Sequence, residues 1–310
     1  MMDDMPLLRS LWQRSAGPAG DKGAATPARH QQEVRALYAR GIFMDDALQF
    51  LFHQRPSLDA FLAWTTARTR ARPAHAFDIV DDVLSFDELQ FWERNGYVVL
   101  RGAVPRAECE AAQAAIWDYL GASLDDRASW YRAHPGKVGF MLQFSDHPAL
   151  ETIRHQPRIR RAYQQLYRSE AIYPTIDKVS FNPPQAADTC FTGSPLHWDT
   201  SLALPFPFKL QGLLYLGDCA ASHGAFHCVP GFQHRIGDWL ATVPPGHNPR
   251  EWALQQLRPV AVAVPGQAGD FIIWHQALPH CATPNLGDVP RMVQYLSYHA
   301  DDGVDQEEWI

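Results

Sequence analysis

The tripeptide His197-Trp198-Asp199, inside "PLHWDTSLAL", has residue types and a spacing that could hold a metal ion. Side chains at i and i+2 of an extended strand share a face, so His197 and Asp199 project together while Trp198 points away. The spacing is weak evidence by itself. With 14 histidines and 34 acidic residues in 310 positions, a His-x-Asp/Glu triplet should arise roughly once or twice by chance. A second one, His299-Ala300-Asp301, is indeed present. A third ligand separates the two, because two histidines and one carboxylate with open positions is the arrangement of non-haem Fe(II) oxygenases. No histidine follows His299. Downstream of His197, in contrast, lies "GDFIIWHQALPHCATPNLGDVPRMVQYLSYH", where His275 closes a β-type run, His280 comes five residues later, and Arg291 opens the next run. A guanidinium grips a carboxylate through two parallel hydrogen bonds and stays charged at any relevant pH, so Arg291 suits a dicarboxylic cosubstrate. A zinc hydrolase using His, Asp and His around an activated water is a rival for the same donors, but it leaves that arginine unexplained.

The elements around these residues are short β-type runs separated by turn residues, beginning near residue 172: "KVSFN", "LQGLLYLG", "AFHCVPG", "VAVAVPG", "DFIIWH" and "RMVQYLSYH". Such spacing predicts a sandwich or barrel, and no repeat of solenoid or propeller length is evident. In "DKVSFN", Lys178, Ser180 and Asn182 share one strand face. In "LQGLLYLG", Gln211, Leu213 and Tyr215 share one face and Gly212, Leu214 and Leu216 the other, and periodicity does not say which looks into the barrel. Upstream, "SFDELQFWERNG" has capping-box spacing from Ser85 to Glu88 and a closing Gly96. "YVVLRGAV" reads as a strand, Pro105 and Gly121 bracket a helix, and another helix is expected over residues 148 to 168. Before these come three helix-like segments, the last opening at Ser57 and stopping before Pro73. Residues 15 to 30, rich in Gly, Ala and Pro, have no periodicity.

These blocks, in this order, resemble the phytanoyl-CoA dioxygenase family of Fe(II)/2-oxoglutarate oxygenases over about residues 84 to 299. "ELQFWERNGYVVLRGAV" is similar to the family's opening helix and strand, "GAFHCVPGFQHR" to its Pro-Gly-Ser-His-Arg segment, and "PHCATPN" to its His-x-x-x-x-Asn stretch, which favours His280 over His275. Phe232 and Gln233 stand where the family has a single Ser. The resemblance implies a mainly β fold with flanking helices around a double-stranded β-helix, or jelly-roll, cupin-like core. It implies His197, Asp199 and His280 as ligands of Fe(II), Arg291 as the partner of the distal 2-oxoglutarate carboxylate, and Asn182 and Lys178 as further cosubstrate contacts. It also implies O2 as second cosubstrate, and hydroxylation or desaturation of a small-molecule C–H bond with release of succinate and CO2. Halogenating relatives replace the carboxylate that Asp199 retains. A non-catalytic jelly-roll that binds metal or a small ligand is the other alternative.

The expected organisation is a disordered leader (1–30), a helical N-terminal extension (31–83), the oxygenase domain (84–300) and a tail (301–310). The extension lies outside the resemblance, and covering the pocket, pairing subunits into a homo-oligomer or padding the barrel are all open to it. A net charge of −7 lacks the basic surface that nucleic acid or anionic membrane asks for. No apolar stretch approaches bilayer length and the N-terminus lacks signal-peptide character, so a cytoplasmic protein with a small-molecule partner is expected. Five cysteines without CxxC spacing predict buried free thiols.

Overall fold

The computed structural model describes residues 4–16, 26–69, 81–186 and 193–301, together with Gly303 and Gln306. Its N-terminal part is a layer of four helices, α1 (Met5–Ala16), α2 (Pro27–Tyr38), α3 (Met44–Gln54) and α4 (Leu58–Arg68). Thr26 caps α2 through the amide of Arg29, and Ser57 caps α4 through that of Ala60. The layer has its own core, in which Leu8, Leu11, Leu37, Ile42, Ala47, Leu51 and Phe61 are buried together. The leader expected over residues 1–30 is therefore corrected at its start. Leu8 and Leu11 lie one helical turn apart and find apolar partners on α2 and α3, which makes helix the favourable state of Met5–Ala16. Residues 17–25, the remainder of that Gly/Ala/Pro stretch, lie outside the described residues, and α2 begins at Pro27, before the boundary expected at residue 31.

Next come α5 (Phe86–Asn95), β1 (Tyr97–Leu100), α6 (Arg106–Leu120), β2 (Lys137–Val138), β3 (Met141–Leu142), α7 (Pro148–Arg154) and α8 (Pro157–Tyr167). The capping box of α5 forms as its sequence predicts, with the Ser85 hydroxyl accepting from the Glu88 amide and the Glu88 carboxylate accepting from that of Ser85. Gly96 ends α5 in the left-handed conformation, φ 73°, and turns the chain straight into β1. The single helix expected over 148–168 is two helices. Pro157 has no amide hydrogen to continue α7, so it opens α8 instead.

The remaining strands are β4 (Ile172–Pro174), β5 (Val179–Asn182), β6 (Leu210–Tyr215), β7 (Phe226–Cys228), β8 (Val262–Val264), β9 (Phe271–His275), β10 (His280–Ala282), β11 (Arg291–Tyr295) and β12 (Tyr298–Ala300). They form a seven-stranded sheet in the order β1-β9-β6-β11-β5-β3-β2, a three-stranded sheet β10-β7-β8, and a β12-β4 pair. All named pairings are antiparallel, and an isolated bridge between His197 and His280 extends the smaller sheet by the segment that carries His197. This is a jelly-roll: two antiparallel sheets face one another, with helices behind the larger.

Burial decides the faces that periodicity left open. Leu213, Tyr215, Ile272, Trp274 and Val293 of the large sheet pack with Phe226, Cys228 and Val264 of the small one. Leu214, Leu216, Phe271, Ile273 and Met292 point the other way, into a core shared with Ile116, Ile153 and Ile159 of α6, α7 and α8. Each such side chain contributes about 1.5–3 kcal/mol of burial, so a one-residue slip of β6 would be strongly unfavourable. Gln211, which shares the inward face with Leu213 and Tyr215, is thereby directed into the barrel.

Candidate functional site

His197 and His280 are held by reciprocal backbone hydrogen bonds, 2.9 Å from His197 N to His280 O and 3.0 Å in return. This pairing brings together residues 83 positions apart in the chain. The imidazole centroids lie 4.5 Å apart, and one ligand atom from each of His197, Asp199 and His280 falls within 4.8 Å of the others. Among the described residues, no other group of three His, Cys, Asp or Glu side chains converges in this way. Each imidazole uses Nδ1 on a backbone carbonyl, His197 on Pro195 at 2.8 Å and His280 on Leu278 at 3.1 Å. A hydrogen on Nδ1 leaves Nε2 as the lone-pair nitrogen, and both Nε2 atoms face the Asp199 carboxylate, at 3.4 Å and 3.1 Å.

The electrostatics agree with that geometry. Burial works against ionisation of Asp199, yet the hydrogen bonds and charge that His197 and His280 supply when a proton, in place of a metal, sits on Nε2 hold its carboxyl far below the usual carboxylate range. Burial likewise disfavours a charged His197, but the hydrogen bond and charge of Asp199 outweigh it and raise that imidazole above its ordinary value. The three groups are arranged around positive charge between them, and a divalent cation supplies that charge while satisfying both Nε2 lone pairs.

Gln211 completes the immediate surroundings. Its Nε2 donates to Asp199 Oδ2 at 2.8 Å, and its Oε1 accepts from Trp274 Nε1 at 3.1 Å, across a β6–β9 pair in which Gln211 and Trp274 are direct neighbours. This amide fixes the rotation of the carboxylate. Sequence reasoning placed Gln211 on a face with Leu213 and Tyr215 and gave it no role. The available signal was its lone polarity on a face that proves to look inward.

Arg291 opens β11 directly opposite Asn182 on β5, and the two are 5% and 1% exposed. Its guanidinium carbon lies 5.6 Å from the centre of the Tyr215 ring. Nε and Nη1 of Arg291 and both amide atoms of Asn182 are buried without hydrogen-bond partners. Orphaned donors of this kind are costly unless an acceptor arrives, and an anionic oxygen group is the acceptor that matches a guanidinium fork. Gly224 makes room here: at φ +75° it approaches so closely that a Cβ would sit 2.7 Å from Asn182 Nδ2. A single cavity of about 600 Å³ is lined by Arg291 together with His197, Asp199 and His280, with Phe226 and Trp274 among its apolar walls.

Lys178 lines that cavity too, but its ammonium is engaged elsewhere, 2.5 Å from Asp45 of α3 and 5.3 Å from the centre of the Phe43 ring. Its partner thus comes from the helical layer, which lies outside the family resemblance and for which covering the pocket was one of the roles left open. His275 is not in the triad: its Nδ1 accepts from the Ala277 amide, and burial pushes its pKa down to about 4. His299 sits on β12 paired to β4, while Asp301 pairs with Arg35, so among the described residues the second His-x-Asp motif forms no metal site. Tyr215 is a satisfied core residue, donating to Val264 O and accepting from Phe226 N. Cys109, Cys219, Cys228 and Cys281 are buried free thiols, and Cys190 lies outside the described residues. Among the described residues no helix is long and apolar enough to cross a membrane.

Comparison with known proteins gives consistent relatives. The family model described as phytanoyl-CoA dioxygenase (PhyH) matches residues 92–293. A putative phytanoyl-CoA dioxygenase of Dictyostelium discoideum is 18% identical over 259 residues, covering 67% of this chain and 73% of its own. An ectoine dioxygenase of Bordetella bronchiseptica is 23% identical over 247 residues, covering 71% and 76%. Among solved structures, the epimerase SnoN in complex with Fe3+, alpha ketoglutarate and nogalamycin RO superposes with a TM-score of 0.51 at 18% identity, covering 71% of this chain and 85% of that one. HygX from Streptomyces hygroscopicus with nickel and 2-oxoglutarate bound gives 0.51 at 16% identity, covering 71% and 88%. At these identities the structural likeness speaks for the fold.

Proposed function

The chain belongs to the phytanoyl-CoA dioxygenase family of Fe(II)- and 2-oxoglutarate-dependent oxygenases, and from that premise we propose that His197, Asp199 and His280 hold its iron and that Arg291, with Asn182, receives the distal carboxylate of 2-oxoglutarate. The observation that carries this reading is the cavity that contains both the triad and a buried guanidinium with unpartnered nitrogens. The donor set by itself also suits a zinc hydrolase, but a hydrolase leaves the buried and unpartnered polar atoms of Arg291 and Asn182 unexplained.

When bound, Fe(II) with 2-oxoglutarate and O2 supplies oxidative decarboxylation to succinate and CO2 coupled to attack on a C–H bond of a small-molecule substrate. The chain's own residues prepare the place. Backbone carbonyls at Pro195 and Leu278 fix the tautomer and tilt of the two imidazoles, and Gln211 fixes the carboxylate between them. Arg291 and Asn182 set the depth and direction of the keto acid by gripping its far end. Phe226 and Trp274 flank His280, with ring centroids 5.7 Å and 5.2 Å away, and limit the water that could reach the reacting centre.

Anaerobic addition of Fe(II) and 2-oxoglutarate to the full chain tests the reading. A weak visible charge-transfer band of the chelate is expected, and its absence at saturating concentrations of both would overturn the assignment.

A further inference from the structure

Beside the cavity just described lies a second one of about 550 Å³. Asp177, Asp199, Gln211 and Ser297 line both, so the two compartments meet at the carboxylate of the triad. One holds Arg291 with the Phe226 and Trp274 rings; these three do not line the other. Its outer wall is the N-terminal helical layer, through His30, Val34 and Tyr38 of α2. These recur every four residues and therefore form a single stripe along one face of that helix.

We propose that α2 closes a substrate compartment against the mouth of the barrel, and that this compartment takes a polyhydroxylated small molecule, a sugar or a cyclitol, in preference to an acyl chain. The proposal rests on the oxygenase reading in taking the triad as the reacting centre beside it.

The chemistry of the walls carries the choice. Thr175, Thr200, Ser201, Gln276 and Ser297 bring short neutral hydroxyls and amides to one space. The Ser297 oxygen accepts from the Gly212 amide at 3.2 Å, which fixes this hydroxyl at the boundary of the two compartments. Burial, reinforced by Lys209, pushes His299 down to about 4, so near neutral pH its imidazole offers one donor and one acceptor. Lys209 is the single Lys or Arg among the lining residues, too little positive charge for a polyphosphate or a CoA tail. Thr200 already donates to Gln306 at 2.9 Å and Gln276 to Pro207 O at 2.6 Å, so what these side chains present to the space is acceptor oxygen, which the hydroxyls of a ligand can meet and an alkyl chain cannot. A sugar ring has hydroxyls around its edge and a C–H face, and Val34 with the Tyr38 ring supplies the apolar surface for that face. The volume is in the range, roughly 300–1,000 Å³, that encloses ligands of this size.

The test uses the full chain loaded with Zn(II) and 2-oxoglutarate, so that binding is measured without turnover. Glycosides, cyclitols and aminosugars are set beside palmitoyl-CoA, a free fatty acid and neutral amino acids in ligand-observed NMR. Binding by at least one hydroxylated compound is expected, weakened at least tenfold in Lys209→Met and in His299→Phe, whose ring keeps the edge contact with Tyr173. Phe52→Ser, on the exposed surface of α3, should leave that binding unchanged. Binding by the acyl compounds alone, no binding by any hydroxylated compound, or hydroxylated binding that neither variant weakens would each overturn the proposal. Succinate release from 2-oxoglutarate by the Fe(II) protein is followed separately, so a failed oxygenase reading and a failed compartment give different results.

Discussion

Replacing Arg291 by Lys tests the cosubstrate end of the site with a defined magnitude. The substitution keeps a positive charge in the same buried place and removes the planar fork, leaving a point-charge ammonium. One charge-assisted hydrogen bond to the carboxylate is lost, and such bonds contribute about 1.5–3 kcal/mol, so affinity for 2-oxoglutarate should fall roughly 10- to 100-fold. A thermal-shift assay reads this without the unknown substrate. Unchanged protein with Zn(II) and 2-oxoglutarate at a hundred times its Kd gains about 2.7 kcal/mol from binding, a rise of roughly 5 °C. At the same concentration a variant weakened a hundredfold gains only about 0.4 kcal/mol, and the shift nearly disappears. Arg291→Leu sharpens the comparison. In the ligand-free protein it removes two buried donors without a partner, Nε and Nη1, and, among the described residues, no ion pair, so its stability should not fall by the several kcal/mol that breaking a buried ion pair costs. An undiminished 2-oxoglutarate shift in Arg291→Lys would mean that the guanidinium fork does not hold the cosubstrate, and severe destabilisation of ligand-free Arg291→Leu would mean that it already serves an ionic partner within the protein; either would refute the reasoning.

Further tests address the metal end and the frame around it. Asp199→Ala removes the carboxylate between two Nε2 atoms, so the anaerobic visible band and succinate formation should both be lost; retained turnover would place the iron elsewhere. Gln211→Leu leaves Asp199 Oδ2 without its amide donor and the Trp274 N–H without its acceptor, and roughly 10- to 100-fold weaker iron binding with a shifted visible band is expected. If band and affinity both match the unchanged protein, Gln211 does not position the carboxylate. Glu151 reports on the helices behind the sheet: burial alone would raise its pKa, yet His155 and Arg154 bring it down to about 2. A carboxyl with a depressed folded pKa adds stability above its unfolded value near 4.5, and that contribution is lost as pH falls toward 2. Glu151→Gln should flatten the acid limb of stability, followed by denaturant melts across this window, and an unaltered slope would contradict the pairing.

Much of the site was legible because its signals are local. His197 and Asp199 share a strand face by period two alone, Arg291 stands at the head of a β-type run, and Ser85, Glu88 and Gly96 announce the boundaries of a helix through hydrogen bonds that close within a few residues. Asn182 and Arg291 fell on strands whose register the alternation of apolar residues determines. The order of motifs along the chain then sufficed to mark out a family and, with it, a jelly-roll.

What the sequence could not decide were contacts between residues far apart in the chain. That Lys178 reaches Asp45, 133 positions away, and that Gln211 turns toward Asp199 and not toward the helices, follow from packing of whole layers, which period-two patterns leave ambiguous between two faces. The expectation of a leader at the N-terminus failed over Met5–Ala16 for a related reason: one helical turn of leucines has no stability until α2 and α3 cover it. The polar compartment under α2 belongs wholly to tertiary structure. Its lining comes from α2, the segments beside β4 and β6 and the end of β12, and no stretch of sequence contains it. Spacing along the chain names the groups that can bind iron and a keto acid, because ligand chemistry is a property of residue type. Which molecule those groups meet depends on the volume and polarity between layers, and these exist only once the layers have packed.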